Sequence, residues 1–399
     1  MKKILLLGGS KQQIIAIKTA KRLGYYTVLC DFLEDNPGQY EADKFYLVST
    51  TDKDAVFKVA KEEQVNGVLA YASDPAAPTA AYIAEMMGLA GNPYKSVEIL
   101  CNKDKFRTFL REHNFYAPQA KGYTDINDAL LDIQRGFFRY PIIVKPVDSS
   151  GSKGATVLHS EEGLEEALEF AFSFSRCHKI IIERFIEKKH PYLIGGDIFI
   201  ENGKIVLWGL MNCHRDSNVN TLVPVGKSYP LLLEKDDIKH TKDILSSMVE
   251  ELGICNGSMN VELIIDKDNN VWPIDIGPRS GGNMIPDLLG DIFGIDIVGM
   301  SIEAAMGNGV KCNIHEPKGI FATHNLHSNK NGIYKNIIFS SEIEPYIYRK
   351  CLYKKPGDNV EYFDNAAKCL GIVFFKFPNE NVMKNVLGRI NEFIKVELQ

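Results

Sequence analysis

NVELIIDKDNNVWPIDIGPRSGGN, residues 260–283, reads as two apolar runs joined by a polar link, with one acid stranded in each run and an arginine set over paired glycines. Taking KDNN (267–270) as a four-residue loop pairs residue 266 with 271, which sets Glu262 opposite Asp275 and Asn260 opposite Gly277. Side-chain alternation then puts Val261, Leu263 and Ile265 with Trp272, Ile274 and Ile276 on the buried face. Two carboxylates facing each other across a ladder repel, unless a cation lies between them or one is protonated. A hard divalent ion with oxygen ligands resolves the conflict, Mg²⁺ above all where phosphates complete its shell. A bulge that shifts the register, or two acids that both reach solvent, resolves it without any function.

Upstream, YPIIVKPVDSSGSKGATVLH (140–159) ends a β-branched strand on Lys145, whose ammonium is costly to bury alone. A glycine–serine turn follows at once, Asp148 to Gly154. Its backbone N–H groups, at Ser150, Gly151, Ser152 and Gly154, are free to wrap phosphate oxygens, with Lys145 and Lys153 supplying charge. No G-K-[ST] opens a helix here, so this is not a Walker loop, and a flexible surface hairpin is the plain alternative. IIIERFIEKK (180–189) carries an apolar strand to Glu183, then Phe185 and Ile186. That is either a hinge offering amides and an acid to a flat heterocycle or a core strand that merely ends in charge.

At the front of the chain, ILLL (4–7), GGSKQQ and IIAIKTAKRLG (14–24) spell strand, glycine turn and helix, and YTVLCD (26–31) and VNGVLAYASD (65–74) extend them into a parallel sheet. GGS lacks G-x-G-x-x-G, so a tight turn is the stronger reading than a phosphate cradle. From residue 101 strands alternate with helices at CNKDKFRTFLREHNFYAP, EEGLEEALEFAFSF and DDIKHTKDILSSMVEELG. The periodicity changes again beyond 310, where H-x-x-H at 324–327 reads as strand and turn and NENVMKNVLGRINEFIKVEL (379–398) as a closing helix. The expected division is an α/β Rossmann-like domain over 1–100, an α+β region over 101–310 split at 188/189 into smaller and larger parts, and a small α+β capping domain over 311–399.

Composition narrows the class. With 399 residues, 45% hydrophobic and 24% charged, the chain suits two or three soluble cores. A net charge of −5 with dispersed Lys and Arg argues against nucleic acid, and ILLL is too short to span a membrane or drive secretion, so a cytoplasmic setting is expected. Eight scattered cysteines without C-x-x-C point to free thiols.

Together these motifs resemble the ATP-grasp superfamily, and closely its carbamoyl-phosphate-synthase-like carboxylate–amine ligases, over roughly residues 1–310. The resemblance implies a pre-ATP-grasp Rossmann-like domain ahead of two α+β subdomains that hold ATP. It assigns the adenine-side lysine to Lys105 in NKDKFR, the lysine on the α- and β-phosphates to Lys145, the flap to SSGSKG and the hinge to Glu183–Ile186. Glu262 and Asp275 become ligands of Mg²⁺, with Mn²⁺ as the alternative ion, and Arg279 becomes catalytic together with Lys145. The implied reaction joins a small carboxylate to an amine, of an amino acid or an amino sugar, through an acyl phosphate, releasing ADP and phosphate; family members are often homodimers through the first domain. Where the family has E-x-N-P-R this chain has Asp275 and Gly277, and Asn260, facing Gly277, is expected to lend the missing amide oxygen. His214, Arg215 and Lys227 are expected near the acceptor. The competing readings are an ATP-binding sensor or scaffold without turnover, which Gly277 favours, and a phosphoryl-transfer or carboxylase-type enzyme.

Overall fold

The computed structural model describes residues 1–310 and 312–399. The N-terminal unit is a parallel sheet in the order Lys44–Leu47, Tyr26–Asp31, Lys3–Leu7, Gly67–Leu69. Leu5 and Leu7 face one core with Val28, Val56 and Ile83, while Ile4 and Leu6 face another with Ile17 and Leu29. That second core is completed from far along the chain, by Val298, Ile302 and Met306 on and beside helix Ile297–Ala305. The first hundred residues thus share that core with a helix of the 101–310 region. In the GGS turn the Gly9 amide donates to Asp31 Oδ2 (2.7 Å) and the Ser10 amide to Gln13 Oε1 (3.0 Å), so these donors serve the turn itself.

Residues 120–184 form a four-stranded sheet in the order Ala120–Tyr123, Ile180–Arg184, Ile142–Pro146, Thr156–Leu158, backed by helices Ile126–Gln134 and Leu164–Phe174. Facing it is an eight-stranded sheet: Val271–Gly277, Gly257–Ile265, Leu193–Glu201, Lys204–His214, Gly226–Tyr229, Ile320–Leu326, Gly371–Phe377, Ile347–Leu352. Helices Lys103–Glu112 and Lys235–Glu251 cover one face of it through Phe106, Leu110, Leu245 and Met248 against Val261, Leu263 and Ile276. The last three strands come from beyond residue 311, so the expected capping domain grows from the edge of the same sheet. The closing helix also stops early: helices Glu380–Gly388 and Ile390–Phe393 give way to strand Ile394–Leu398, which pairs with Gly332–Phe339. IKVEL alternates with period two, and that pairing overrides its helical continuation.

The hairpin sets Asn260 opposite Gly277 and Glu262 opposite Asp275, but Leu263 then pairs with Pro273 and Ile265 with Val271. One extra residue, Ile274, is a bulge. The turn closes early because Asp266 Oδ1 accepts from the amides of Asp268 and Asn270 (both 2.9 Å) while Asn269 takes φ +66°, and Pro273 has no N–H for a regular ladder. Beyond the bulge the faces exchange: Val271 turns to the core with Val261 and Leu263, whereas Trp272 and Ile274 join Ile264 and Ile186 on the opposite side. The expected burial of Trp272 and Ile274 beside Leu263 is thus corrected. Among the described residues no helix is long and apolar enough to cross a membrane.

Candidate active site

Between the two sheets lies a cleft of about 790 Å³. One end is apolar, with Ile143, Phe185, Ile186, Leu193, Ile264 and Ile274; the other carries Lys103, Lys145, the flap, Glu262 and Asp275. The bulge is what delivers Ile274 to it. In the hinge the Phe185 amide is bonded to the Pro141 carbonyl (3.0 Å) and the Lys189 amide to Ile265 (2.9 Å), leaving Ile186–Lys188 as the stretch along the cleft wall.

Lys145 is buried, and its ammonium lies 2.9 Å from Glu183 Oε2. Burial pushes the lysine down to about 8 against the pull of Glu183. Glu183 also pairs with the wholly buried Arg107, whose Nε lies 3.0 Å from Oε1 and whose Nη2 donates to the Ile274 carbonyl (2.7 Å). Burial alone would raise the Glu183 pKa; Arg107 and Lys145 more than offset it and hold the carboxyl below its ordinary range. Two cations against one anion leave the triad itself with a net positive charge. Glu183 is therefore the counter-ion of Lys145 and Arg107 while also lining the cleft.

Lys105 is not in the cleft: its Nζ is 2.7 Å from Glu98 and its side chain is 48% exposed. Lys103 takes that place, donating to the Ser149 carbonyl (2.5 Å). The helix begins at Lys103, capped by Asn102, and residues 103 and 107 are four apart on one face while 105 turns away. Helical phase was the signal in the sequence for both Lys103 and Arg107.

In the flap, Gly151, Ser152 and Gly154 adopt φ of +68°, +63° and +72°. A Cβ on Gly154 would lie 2.9 Å from both Phe174 Cβ and Pro146 Cγ, so only glycine lets the flap leave its strand there. Ser152 Oγ donates to the Leu222 carbonyl (3.0 Å), which rests the flap on the segment after His214. Ser150 and Gly151 line the cleft beside it.

Glu262 Oε1 faces two cations, Arg215 Nη2 at 3.5 Å and Lys227 Nζ at 3.9 Å. Burial would raise its pKa, but Arg215 and then Lys227 bring it below the usual carboxylate range. Both cations also approach Cys213 Sγ, at 2.7 and 2.9 Å. Lys227 reaches across the sheet over Gly195, where a Cβ would stand 2.4 Å from its Nζ. His214 is turned away to Ser228 Oγ (2.8 Å).

Gly277 is closed from above: a Cβ there would meet Asp74 Oδ1 at 2.6 Å and Arg279 Cζ at 3.2 Å. Asp74, from the N-terminal unit, forms an ion pair with Arg279 and holds that buried guanidinium firmly charged, opposing its desolvation. Asn260 pairs with Gly277 across the hairpin and lines the second cavity. Its Nδ2 donates to the Gly196 carbonyl (3.0 Å) and to Asp197 Oδ1 (2.8 Å), and Asp197 Oδ2 accepts from the Gly281 amide (2.8 Å). Asp197 is buried on the neighbouring strand and requires those donors, so the Nδ2 of Asn260 is drawn to it. Neither Asp74 nor this tether was legible locally, because each contact joins distant parts of the chain.

A second cavity of about 650 Å³ shares the flap, Glu262 and Asp275 with the first and extends to Ser10–Gln12, Asp74, Lys227, Arg279 and Asn325. It has walls from all three parts of the chain.

The cleft joins an apolar slot to a buried lysine, a glycine flap and facing carboxylates between two antiparallel sheets. Residues 138–287 match the family model of the ATP-grasp domain. The chain is 23% identical over 304 residues to the carbamoyl phosphate synthase large chain of Clostridium beijerinckii, covering 74% of this chain and 27% of that one. It is 31% identical over 193 residues to the formate-dependent phosphoribosylglycinamide formyltransferase of Prochlorococcus marinus, covering 47% of this chain and 48% of that one. The chain thus spans about a quarter to a half of these curated relatives. Solved structures share its fold: an L-amino acid ligase from Bacillus licheniformis (TM-score 0.83, 18% identity, 100% of this chain and 99% of that one) and a phosphoribosylglycinamide synthetase from Anaerococcus prevotii (TM-score 0.76, 23% identity, 100% of both).

Proposed function

We propose that this protein is an ATP-dependent carboxylate–amine ligase. The observation that carries the reading is that the phosphate end of the nucleotide cleft opens, past Glu262 and Asp275, into a second cavity bearing Arg279. Adenine would lie against Ile186, Ile264 and Ile274, and the triphosphate along Lys103, Lys145 and the flap amides of Ser150–Gly154. The donor set suits a hard ion, with two carboxylates directly opposed on a hairpin. Asp275 and Glu262 would hold Mg²⁺, or Mn²⁺ in its place, which supplies charge neutralisation on the phosphates.

Arg279, kept cationic by Asp74, would orient the substrate carboxylate in two-pronged fashion. A carboxylate oxygen attacks the γ-phosphorus, the bond from phosphorus to the β–γ bridging oxygen breaks, and ADP leaves. Lys145 and the flap amides balance the charge that develops there. The amine lone pair then attacks the acyl carbon, the carbon–oxygen bond to phosphate breaks, and the amine proton leaves with the phosphate. A structural neighbour named as an L-amino acid ligase supports an amino acid as one substrate.

The test is purified protein with ATP, Mg²⁺ and pooled carboxylates, amino acids and amino sugars, following ADP and phosphate and identifying the product by mass. Release that requires both an acid and an amine, with a condensed product, is expected. Tight ATP binding with no release under any pool overturns the reading in favour of a sensor.

A further inference from the structure

We propose that the phosphate end of this cleft takes one divalent cation per chain, and that Arg215 and Lys227 supply in fixed form the charge of a second. The inference rests on the reading of the cleft as an ATP site and concerns how that site neutralises phosphate.

Two ions between Glu262 and Asp275 require further oxygen ligands beside them, and the structure restricts the places from which these would come. Gly277 has no side chain and no room for one, because Asp74 Oδ1 and Arg279 lie over it. Asp74 Oδ2 is itself engaged by Arg279, and Asn260 is fixed through its Nδ2 by Asp197 and Gly196, which leaves its Oδ1 as the one amide oxygen beside the pair. Among the described residues no group of three acidic, histidine or cysteine side chains is placed to share a metal.

The two acids also differ in their surroundings. Glu262 already has two cations beside it, and the side chains of Arg215 and Lys227 are only 16% and 7% exposed. Both are held in place, Arg215 by Cys213 and Lys227 by Cys213 and its passage over Gly195. A dication on the Glu262 side would meet two like charges in a poorly solvated pocket, where repulsion is weakly screened. Asp275 makes no ion pair among the described residues and borders both the nucleotide cleft and the second cavity. It is the chief anchor for a single hard ion that Glu262 shares and that keeps most of its shell from phosphate and water.

The test counts ions directly. Mn²⁺ is titrated into the full-length protein with the β,γ-imido analogue of ATP, and free Mn²⁺ is read by electron paramagnetic resonance. One Mn²⁺ bound per chain in the ternary complex is expected. Two per chain with the analogue bound overturns this inference and leaves the nucleotide site standing, whereas failure of the analogue to bind overturns both. The Arg215→Met/Lys227→Met double variant, checked by circular dichroism for its fold, is expected to bind the analogue at least tenfold more weakly and to acquire a second, weaker Mn²⁺. An unchanged count with unchanged analogue affinity overturns the substitution of fixed charge for metal, and Lys227→Arg alone is expected to keep the count at one.

Discussion

The ion triad Arg107–Glu183–Lys145 sets how the site responds to pH. Lys145 has an ammonium pushed down to about 8, and only its charged form serves the phosphates. The value of kcat/KM for ATP should therefore be flat below about pH 8 and fall roughly tenfold per unit above it, a limb that Lys145→Arg removes. The stability effect has the opposite sense. A lysine that holds its proton less tightly when folded destabilises fully below about 8, and the penalty fades as pH rises toward the unfolded value near 10.4. Glu183→Gln leaves Arg107 and Lys145 buried without a counter-ion, and a loss of about 3–5 kcal/mol is expected. It is read as a lowered urea midpoint without nucleotide; an unchanged midpoint would remove Glu183 from its structural place. At this scale the sequence carried Lys145 and the facing acids plainly, because a charge in an apolar strand stands out. It hid Arg107 in a charged helix whose phase alone marks it, and it hid Asp74, whose partner Arg279 is 205 positions away.

Among elements, the segment between strands Lys204–His214 and Gly226–Tyr229 joins the site to the C-terminal part. It places Arg215 on Glu262 and Leu222 under the flap, yet it is fastened from the C-terminal part. Asp216 Oδ2 meets His327 Nε2 at 3.1 Å and accepts from Asn391 Nδ2 at 2.8 Å, while Asn220 Nδ2 donates to the Asp364 carbonyl at 3.1 Å. The His327 ring stacks on Phe363, with centroids 4.8 Å apart. This is the structural use of the H-x-x-H pattern. His327→Ala is expected to raise KM for ATP several-fold, since flap and Arg215 both loosen, and to cost about 1–3 kcal/mol as a buried carboxylate loses a hydrogen-bond partner. Asp216→Ala should behave alike, and the double variant should cost clearly less than the sum of the two; additive losses would show that the pair does not act as one. The strands here were readable from their alternation, whereas the bulge at Ile274 was not. It follows from an Asp266-centred turn and a proline, local features that compete with simple pairing only once the chain is folded.

For the whole molecule, the cores disregard the divisions that composition and periodicity suggest. Helix Ile297–Ala305 completes the N-terminal core, and the strands after 311 continue the large sheet from Gly226–Tyr229. A fragment of residues 1–100 would expose Ile4, Leu6, Ile17 and Leu29, each at most 2% exposed in the full chain. Uncovering a face of that size forfeits about 1.5–3 kcal/mol for each large side chain fully returned to water, a substantial share of the stability of a small domain. The fragment is expected to bind a hydrophobic dye and to melt without a cooperative transition. A fragment of residues 1–310 keeps that helix but leaves strand Gly226–Tyr229, which carries Lys227, as an unpaired edge and lacks His327. Its N-terminal core should melt cooperatively while its affinity for nucleotide, followed by titration calorimetry, falls at least tenfold. Native affinity in the 1–310 fragment would show that the C-terminal strands only cover the site, whereas the expected loss would show that they hold Arg215, Lys227 and the flap in place.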